Sequence, residues 1–288
     1  MIARQAEGRM RMTSLIWLPP LVKALATALI VVSASVIAEA LGPFWGALIA
    51  CLPVSAGPAY LFLAMRQGED FVAASALSSF AANAVTGVFL IVYGLLARSM
   101  RPWHCLGFAV LVWLLGAAAM QQVEWTPATA TALNLGVYGI GFVLLDASGK
   151  VKLTSTPVAR RRWFELPIRA AAVAAFVSLV VSVSSLLGPS ATGIAAVFPI
   201  TLISLIVIVR GRLGGPACAL LAANALRTML GFGVMLLALH LAIGPLGTVP
   251  ALVIAMAVSL LWSCVLLGLR ALHRPGRKAN GRCVAEEL

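Results

Sequence analysis

Charged residues are scarce in this chain. Only 10% of the 288 residues are Asp, Glu, Lys or Arg, whereas 61% are hydrophobic. A soluble globular domain carries roughly a quarter charged residues, and a soluble fold of this length has no means of keeping so much apolar side chain out of water. The composition therefore predicts a chain whose solvent is the lipid bilayer.

Acidic residues are the scarcest charged group: 9 Asp and Glu stand against 21 Lys and Arg, which gives a formal net charge of +12. The basic residues cluster in loops and tails between apolar runs and form no single face of a soluble domain, so we expect no nucleic-acid partner. Basic loops of this kind lie on the cytoplasmic side of a membrane and face anionic lipids. The clusters are Arg4, Arg9 and Arg11; Arg160, Arg161 and Arg162; and Arg274, Arg277 and Lys278.

Signatures of catalysis and of cofactor binding are missing as well. The 5 cysteines form no CxxC pair, and the 3 histidines are scattered near span ends without a Glu at metal-ligand spacing. The sequence has no phosphate-binding glycine loop, so we do not expect the chain to hydrolyse a nucleotide itself. We predict that it is not an enzyme and that it binds no metal or cofactor.

Long apolar runs are what the sequence has in abundance. A helix needs about 20 apolar residues to cross the hydrocarbon core, and Gly, Pro or charged residues separate successive runs. Eight runs meet or approach this length, at approximately 17–41, 44–65, 71–97, 104–121, 167–187, 190–209, 216–242 and 247–271.

A ninth segment, Ala128–Asp146, is less apolar than the eight runs. It is not amphipathic, so it is a poor surface helix, and we favour a ninth span over a re-entrant or cytoplasmic segment. The positive-inside rule favours eight spans instead, because nine leave Arg4, Arg9, Arg11 and Arg66 outside. Both counts stay open, with nine favoured.

The two halves of the sequence resemble each other. A gapless shift of 146 residues places Leu41-Gly42-Pro43 on Leu187-Gly188-Pro189 and Gly68 on Gly214, and about 13 of the 55 positions from Leu41 to Leu95 are identical. We therefore predict an all-α polytopic membrane protein made of two four-helix repeats and joined by the extra span. The predicted divisions are a first repeat at 15–122, a linker at 123–165, a second repeat at 166–272 and a cytoplasmic tail at 273–288.

Each repeat has a Gly- or Ala-rich start to its second span, then Phe-Pro or Leu-Pro, then a Gly at the next loop. In the second repeat this pattern is Gly193, Phe198-Pro199 and Gly214; the first has Ala47 in place of the first Gly, then Leu52-Pro53 and Gly68. The pattern resembles the GlpM-like family of small bacterial membrane proteins with four spans. The resemblance covers about 200 of the 288 residues and implies a tandem duplication of that unit in a bacterial inner membrane, without implying an activity.

The number of spans decides whether the two repeats have the same or opposite orientations in the membrane. Eight spans make them parallel with both termini cytoplasmic, whereas nine make them inverted with the N-terminus outside, which is a recurrent design of transporters. The loop from Lys150 to Arg169 carries 6 basic residues. We place this loop and the C-terminus in the cytoplasm under either count.

Arg227 is the most informative side chain. It lies roughly 12 residues into its run, about 18 Å deep and near the middle of the bilayer, where a charge costs at least about 2.5 kcal/mol. Arg227 either contacts an anionic solute or acts as a counter-ion in gating, or it locks helices together. Glu39, at the end of the first run, is its carboxylate partner by elimination, although an acid in interfacial water is the simpler interpretation.

Four further residues are candidates for a solute or ion pathway. Pro53 and Pro199 occupy matching interior positions, where proline removes a backbone hydrogen bond; broken helices of this kind line transporter sites, although ordinary kinks are commoner. Asn83 and Asn224 lie in Ala-rich stretches. We favour hydrogen bonding between helices over ligand binding for these two amides.

The pseudo-symmetric bundle, the paired prolines and Arg227 together predict a small secondary transporter or permease, with export as one direction, for an unidentified small solute. The alternative is a non-transporting membrane scaffold or assembly protein. The expected partners are the lipid bilayer, anionic lipids and a small-molecule solute, and association of several copies of the chain stays open.

Overall fold

The computed structural model describes residues 56–147 and 165–272, and this part of the chain folds into helices without any strand. Six stretches within it are long and apolar enough to cross a membrane. The prediction of an all-α, multi-pass membrane protein is confirmed, whereas the predicted span 17–41 and most of 44–65 lie outside the described residues. The helices are α1 Ala56–Gln67, α2 Glu69–Leu96, α3 Pro102–Met120, α4 Pro127–Ala147, α5 Glu165–Ala196, α6 Ile200–Leu246 and α7 Thr248–Leu272.

Four glycines with positive φ link helices directly to each other: Gly68, Gly188, Gly214 and Gly247, with φ between 73° and 86°. An L-residue pays about 1–2 kcal/mol for left-handed backbone, so glycine is the residue that permits these one-residue turns. Gly188 divides α5 into α5a (165–187) and α5b (189–196), and Gly214 divides α6 into α6a (200–213) and α6b (215–246).

Helix α2 is the centre of the bundle. Most of its length is buried, and its buried residues include many Ala, Ser and Gly. Small side chains let neighbouring backbones approach closely, which is how helices associate in lipid. Helices α3, α4, α5b and α6b all pack against it.

Helix α3 runs antiparallel to α2 and α4 runs parallel to it. Cys105 Sγ lies 3.7 Å from Tyr93 O near the start of α3, whereas Asn134 Nδ2 donates to Phe80 O at 2.8 Å and Leu145 packs on Gly94. The residue numbers of the contacts between α2 and α4 therefore increase together along both helices, as they do in a parallel pair. The Ala128–Asp146 segment is therefore a helix alongside the central one, and its stretch Pro127–Leu145 is apolar enough to cross a membrane.

Helix α6b runs antiparallel to α2. His240 Nδ1 lies 2.8 Å from Ala73 O near the start of α2, and Ala222 lies against Gly94 near its end. Between these contacts, Asn83 Nδ2 donates to Met229 O at 3.1 Å. Helices α2 and α6b, which are both long and apolar enough to cross a membrane, therefore pack against each other in opposite directions.

Candidate functional site

The apolar run 190–209 is not one continuous helix. Helix α5b ends at Ala196, and α6a begins at Ile200 after a break at 197–199. Pro199 has no N–H to donate and its ring conflicts with a preceding helical carbonyl, so the chain leaves helical geometry there, with φ −80° and ψ 46°. Two half-helices follow one another with non-helical backbone between them.

Three hydroxyl side chains on one face of α2 hold the first half-helix. Ser75 Oγ donates to Pro189 O at 3.0 Å, Ser79 Oγ to Gly193 O at 2.5 Å, and Thr86 Oγ1 to Val197 O at 3.4 Å. We call Ser75, Ser79 and Thr86 the hydroxyl ladder. The carbonyls of Gly193 and Val197 lie where the break removes helical partners, so the ladder supplies hydrogen bonds that the interrupted helix lacks.

The ladder is itself fixed by two aromatic side chains. Tyr60 OH on α1 donates to Ser79 Oγ at 2.5 Å, and Trp113 Nε1 on α3 donates to Thr86 Oγ1 at 3.1 Å. The Trp113 ring also meets the ring of Phe198 edge-on, with centroids 5.0 Å apart. The break is therefore positioned from three helices at once.

A cavity of about 60 Å³ lies beside the break. This is room for a few water molecules or for a solute fragment of similar size. Among the described residues, no charged side chain lines the cavity; the wall is mainly aliphatic and aromatic, with the hydroxyl of Thr201 as a polar group. Its aromatic members are Tyr60, Phe176, Phe198 and Phe232.

Asn83 belongs to a separate buried network, not to the cavity. Its side-chain Nδ2 donates to the backbone oxygen of Met229 and, at 3.2 Å, to Asn134 Oδ1. Tyr138 OH donates to the backbone oxygen of Asn83 at 3.2 Å. The amide thereby joins α2, α4 and α6b, as expected for hydrogen bonding between helices. Within the described part of the chain, the buried Oδ1 of Asn83 accepts no hydrogen bond.

Arg227 and Asn224 lie on α6b, and neither lines the cavity. Arg227 is half-buried near the middle of that helix, and its backbone carbonyl accepts a hydrogen bond from Trp262 Nε1 at 3.0 Å. Pro199 itself does not line the cavity, but its neighbours Phe198 and Ile200 do. Asn83, Asn224 and Arg227 lie elsewhere in the bundle. Glu39 and Pro53 lie outside the described residues.

The hydroxyl ladder, Tyr60, Trp113 and Asn134 were not among the candidates from sequence. Ser and Thr within an apolar helix are common, and only their spacing of 4 and 7 residues places the ladder on one face. Nothing in the sequence indicates which helix that face meets. Among the described residues, no group of three His, Cys, Asp or Glu side chains is arranged to hold a metal ion.

Comparison with known proteins adds no relative: no family model, no curated protein and no solved structure matches the chain.

Proposed function

We propose that this chain is a small secondary transporter of a small solute, and that the solute passes the break at 197–199. One observation carries the proposal: a membrane helix is interrupted at a proline beside a cavity, with α2 hydroxyls bonded to its freed carbonyls. Irregular backbone at membrane depth is tolerated only where it is buried or lines a cavity, and transporters place their sites at such half-helices.

We further propose nine spans in two inverted repeats. Helices α2 and α6b correspond under the 146-residue shift, and they pack antiparallel, as inversion requires. Asn83 contacts Met229, which is the equivalent position in the second repeat under the 146-residue shift. Contact between equivalent positions is expected on a two-fold axis between the repeats.

Two further correspondences support the same arrangement. Under the 146-residue shift, Val85 corresponds to Gly231 and Gly116 corresponds to Trp262. Val85 packs on Gly116 in the first half, and Trp262 packs on Gly231 in the second. The large and small partners are exchanged while the contact is kept. Gly68 and Gly214 also correspond under the shift, and both have a positive φ, of 86° and 77°. We also propose that the two repeats arose by tandem duplication of a four-span unit resembling the GlpM-like proteins.

The proposed orientation places the end that carries Arg98, Arg101 and Arg210 in the cytoplasm. Helix α4 ends there, so the basic 150–169 loop follows on that side, and α7 ends there as well. Anionic lipids of a bacterial inner membrane are the expected neighbours of this end. A reporter at residue 5 and one at Glu124 should both be extracytoplasmic; a cytoplasmic reading at either position contradicts the nine-span arrangement.

The proposed pathway is tested by thiol accessibility at the cavity. We expect Thr201→Cys, in a background without the native cysteines, to react with a membrane-impermeant methanethiosulfonate added from either face of oriented membrane vesicles. The cavity is too small to admit the reagent unless the bundle opens, and a transporter opens alternately to both faces. Ala222→Cys, buried between α6b and α2, is the control that should stay unreactive.

The alternative function, a non-transporting scaffold or assembly protein, is favoured by the small volume of the cavity and by the close packing of α5b on α2. A scaffold has no reason to open, so Thr201→Cys would be protected from both faces. Arg227→Gln adds a second criterion: failure of the variant to accumulate in the membrane supports a structural lock, whereas normal accumulation with altered Thr201→Cys accessibility supports a role in transport.

A further inference from the structure

The connection between α2 and α3 concentrates positive charge at one end of the bundle. Arg98 and Arg101 are both exposed, and residues 97–104 contain no acid. The turn between α1 and α2 at the other end is different, because Arg66 there is followed closely by Glu69 and Asp70. Of these two turns of the described chain, the α2–α3 connection is the one whose charge favours an anionic ligand.

A third arginine holds this connection in place from the other half of the chain. The guanidinium of Arg210, at the end of α6a, donates from Nη1 to Ala97 O and from Nη2 to Met100 O at 2.7 Å. The two carbonyls belong to the residues just before Arg98 and just before Arg101. Met100 N also donates to Leu96 O at 3.0 Å, so the backbone that carries both exposed arginines is ordered before any ligand binds.

An apolar stripe continues from the connection down the outer face of α3. Trp103 is 71% exposed, and Leu111 and Leu114 follow on the same helical face at about 50% exposure. Between them, a Cβ on Gly107 would meet no atom of a neighbouring described element within 4 Å, so the stripe has an open notch. An amphipathic Trp beside charged residues is typical of the membrane interface.

We infer that the α2–α3 connection binds the phosphate-bearing head group of an anionic phospholipid, through Arg98 and Arg101, with one acyl chain along Trp103, Gly107 and Leu111. Arginine suits this ligand because its planar fork binds phosphate oxygens bidentately. The continuity of the basic turn with the apolar stripe selects a lipid over a free anion, which would use the arginines alone. Arg210 acts as a positioning residue. The inference does not depend on the proposed transport function.

The test measures quenching of Trp103 fluorescence by brominated phosphatidylglycerol, with brominated phosphatidylcholine as the neutral lipid. The protein has 7 tryptophans, so the signal of a Trp103→Phe variant is subtracted. We expect phosphatidylglycerol to be preferred, and the preference to fall about fivefold for each arginine removed, or about 25-fold in Arg98→Gln/Arg101→Gln. Arg98→Lys/Arg101→Lys, which keeps the charge but not the bidentate geometry, should retain only part of the preference.

The matched control is Arg160→Gln/Arg161→Gln, which removes the same charge from the basic loop at 150–169. If this control lowers the preference as much as Arg98→Gln/Arg101→Gln does, general surface charge accounts for the binding and the site is overturned. Competition by millimolar inorganic phosphate also overturns it, because the ligand would then be a free anion. The thermal midpoint of both glutamine variants is measured, and that of Arg98→Gln/Arg101→Gln should be unchanged because both arginines are exposed.

Discussion

Replacing Gly193 by alanine tests how closely α5b depends on α2. A Cβ at this position would meet the backbone of Ser75, including its carbonyl carbon at 2.9 Å. Backbone cannot rotate away as a flexible side chain can, so α5b must move off the central helix. That movement breaks the hydrogen bonds from Ser75 to Pro189 and from Ser79 to Gly193.

The expected loss follows from these terms. Hydrogen bonds between membrane helices contribute about 0.6 kcal/mol each on average, and overpacking a close contact costs about 1–3 kcal/mol. We therefore expect Gly193→Ala to lower the free energy of unfolding by about 2–4 kcal/mol. The measurement is an SDS titration of the purified protein in mixed micelles, followed by tryptophan fluorescence.

The control is Gly136→Ala on the outer face of α4, where the added Cβ would contact no other helix of the described chain within 4 Å. Alanine is the better helix former by about 0.5–1 kcal/mol, so this variant should be as stable as the parent or slightly more so. A double-mutant cycle sharpens the comparison: Ser75→Ala should cost about 0.6 kcal/mol alone and almost nothing in the Gly193→Ala background. Equal stability of Gly193→Ala and Gly136→Ala refutes the reasoning.

Three further predictions concern the turns and the buried network. Gly214→Ala should lower the free energy of unfolding by about 1–2 kcal/mol, because its φ of 77° is unfavourable for alanine; an unchanged SDS midpoint contradicts this. Asn83→Leu and Asn134→Leu should each destabilise the bundle, and a double-mutant cycle should give a coupling of about 0.6 kcal/mol for their 3.2 Å hydrogen bond. If the losses of stability in the two single variants simply add in the double variant, the two amides do not interact. Glu69→Gln should cost under about 1 kcal/mol, since its exposed carboxylate accepts from Thr248 N and Oγ1 at 2.9 and 3.1 Å; a larger loss of stability would mean that this contact does more than cap α7.

The sequence predicted an all-helical, multi-pass membrane protein because lipid imposes strong rules on such a chain. Apolar runs of about 20 residues must become helices, and glycine at a joint permits a turn that other residues resist. The joints at Gly188 and Gly214 were placed correctly for this reason. The break at Pro199 likewise follows from the missing N–H of proline.

The candidate site was predictable only in part. Asn83 was expected to bond between helices, and it does so, but the identity of its partners Asn134 and Met229 depends on which faces meet. Arg227 was predicted to be a candidate for the solute pathway because a charge is costly in a membrane. In the fold it does not line the cavity. The cost of burying a group is a property of the residue, whereas its position relative to a cavity is a property of the packing.

What the sequence determined by itself is the solvent of this protein, its helical content and the places where its helices turn or break. Each of these is a local consequence of residue chemistry in lipid. Only the tertiary structure decided the directions of the helices, because hydropathy is the same whichever way a helix runs. The contacts of α2 with α4 and α6b fix those directions, and the same packing sets the hydroxyl ladder of Ser75, Ser79 and Thr86 against the broken helix.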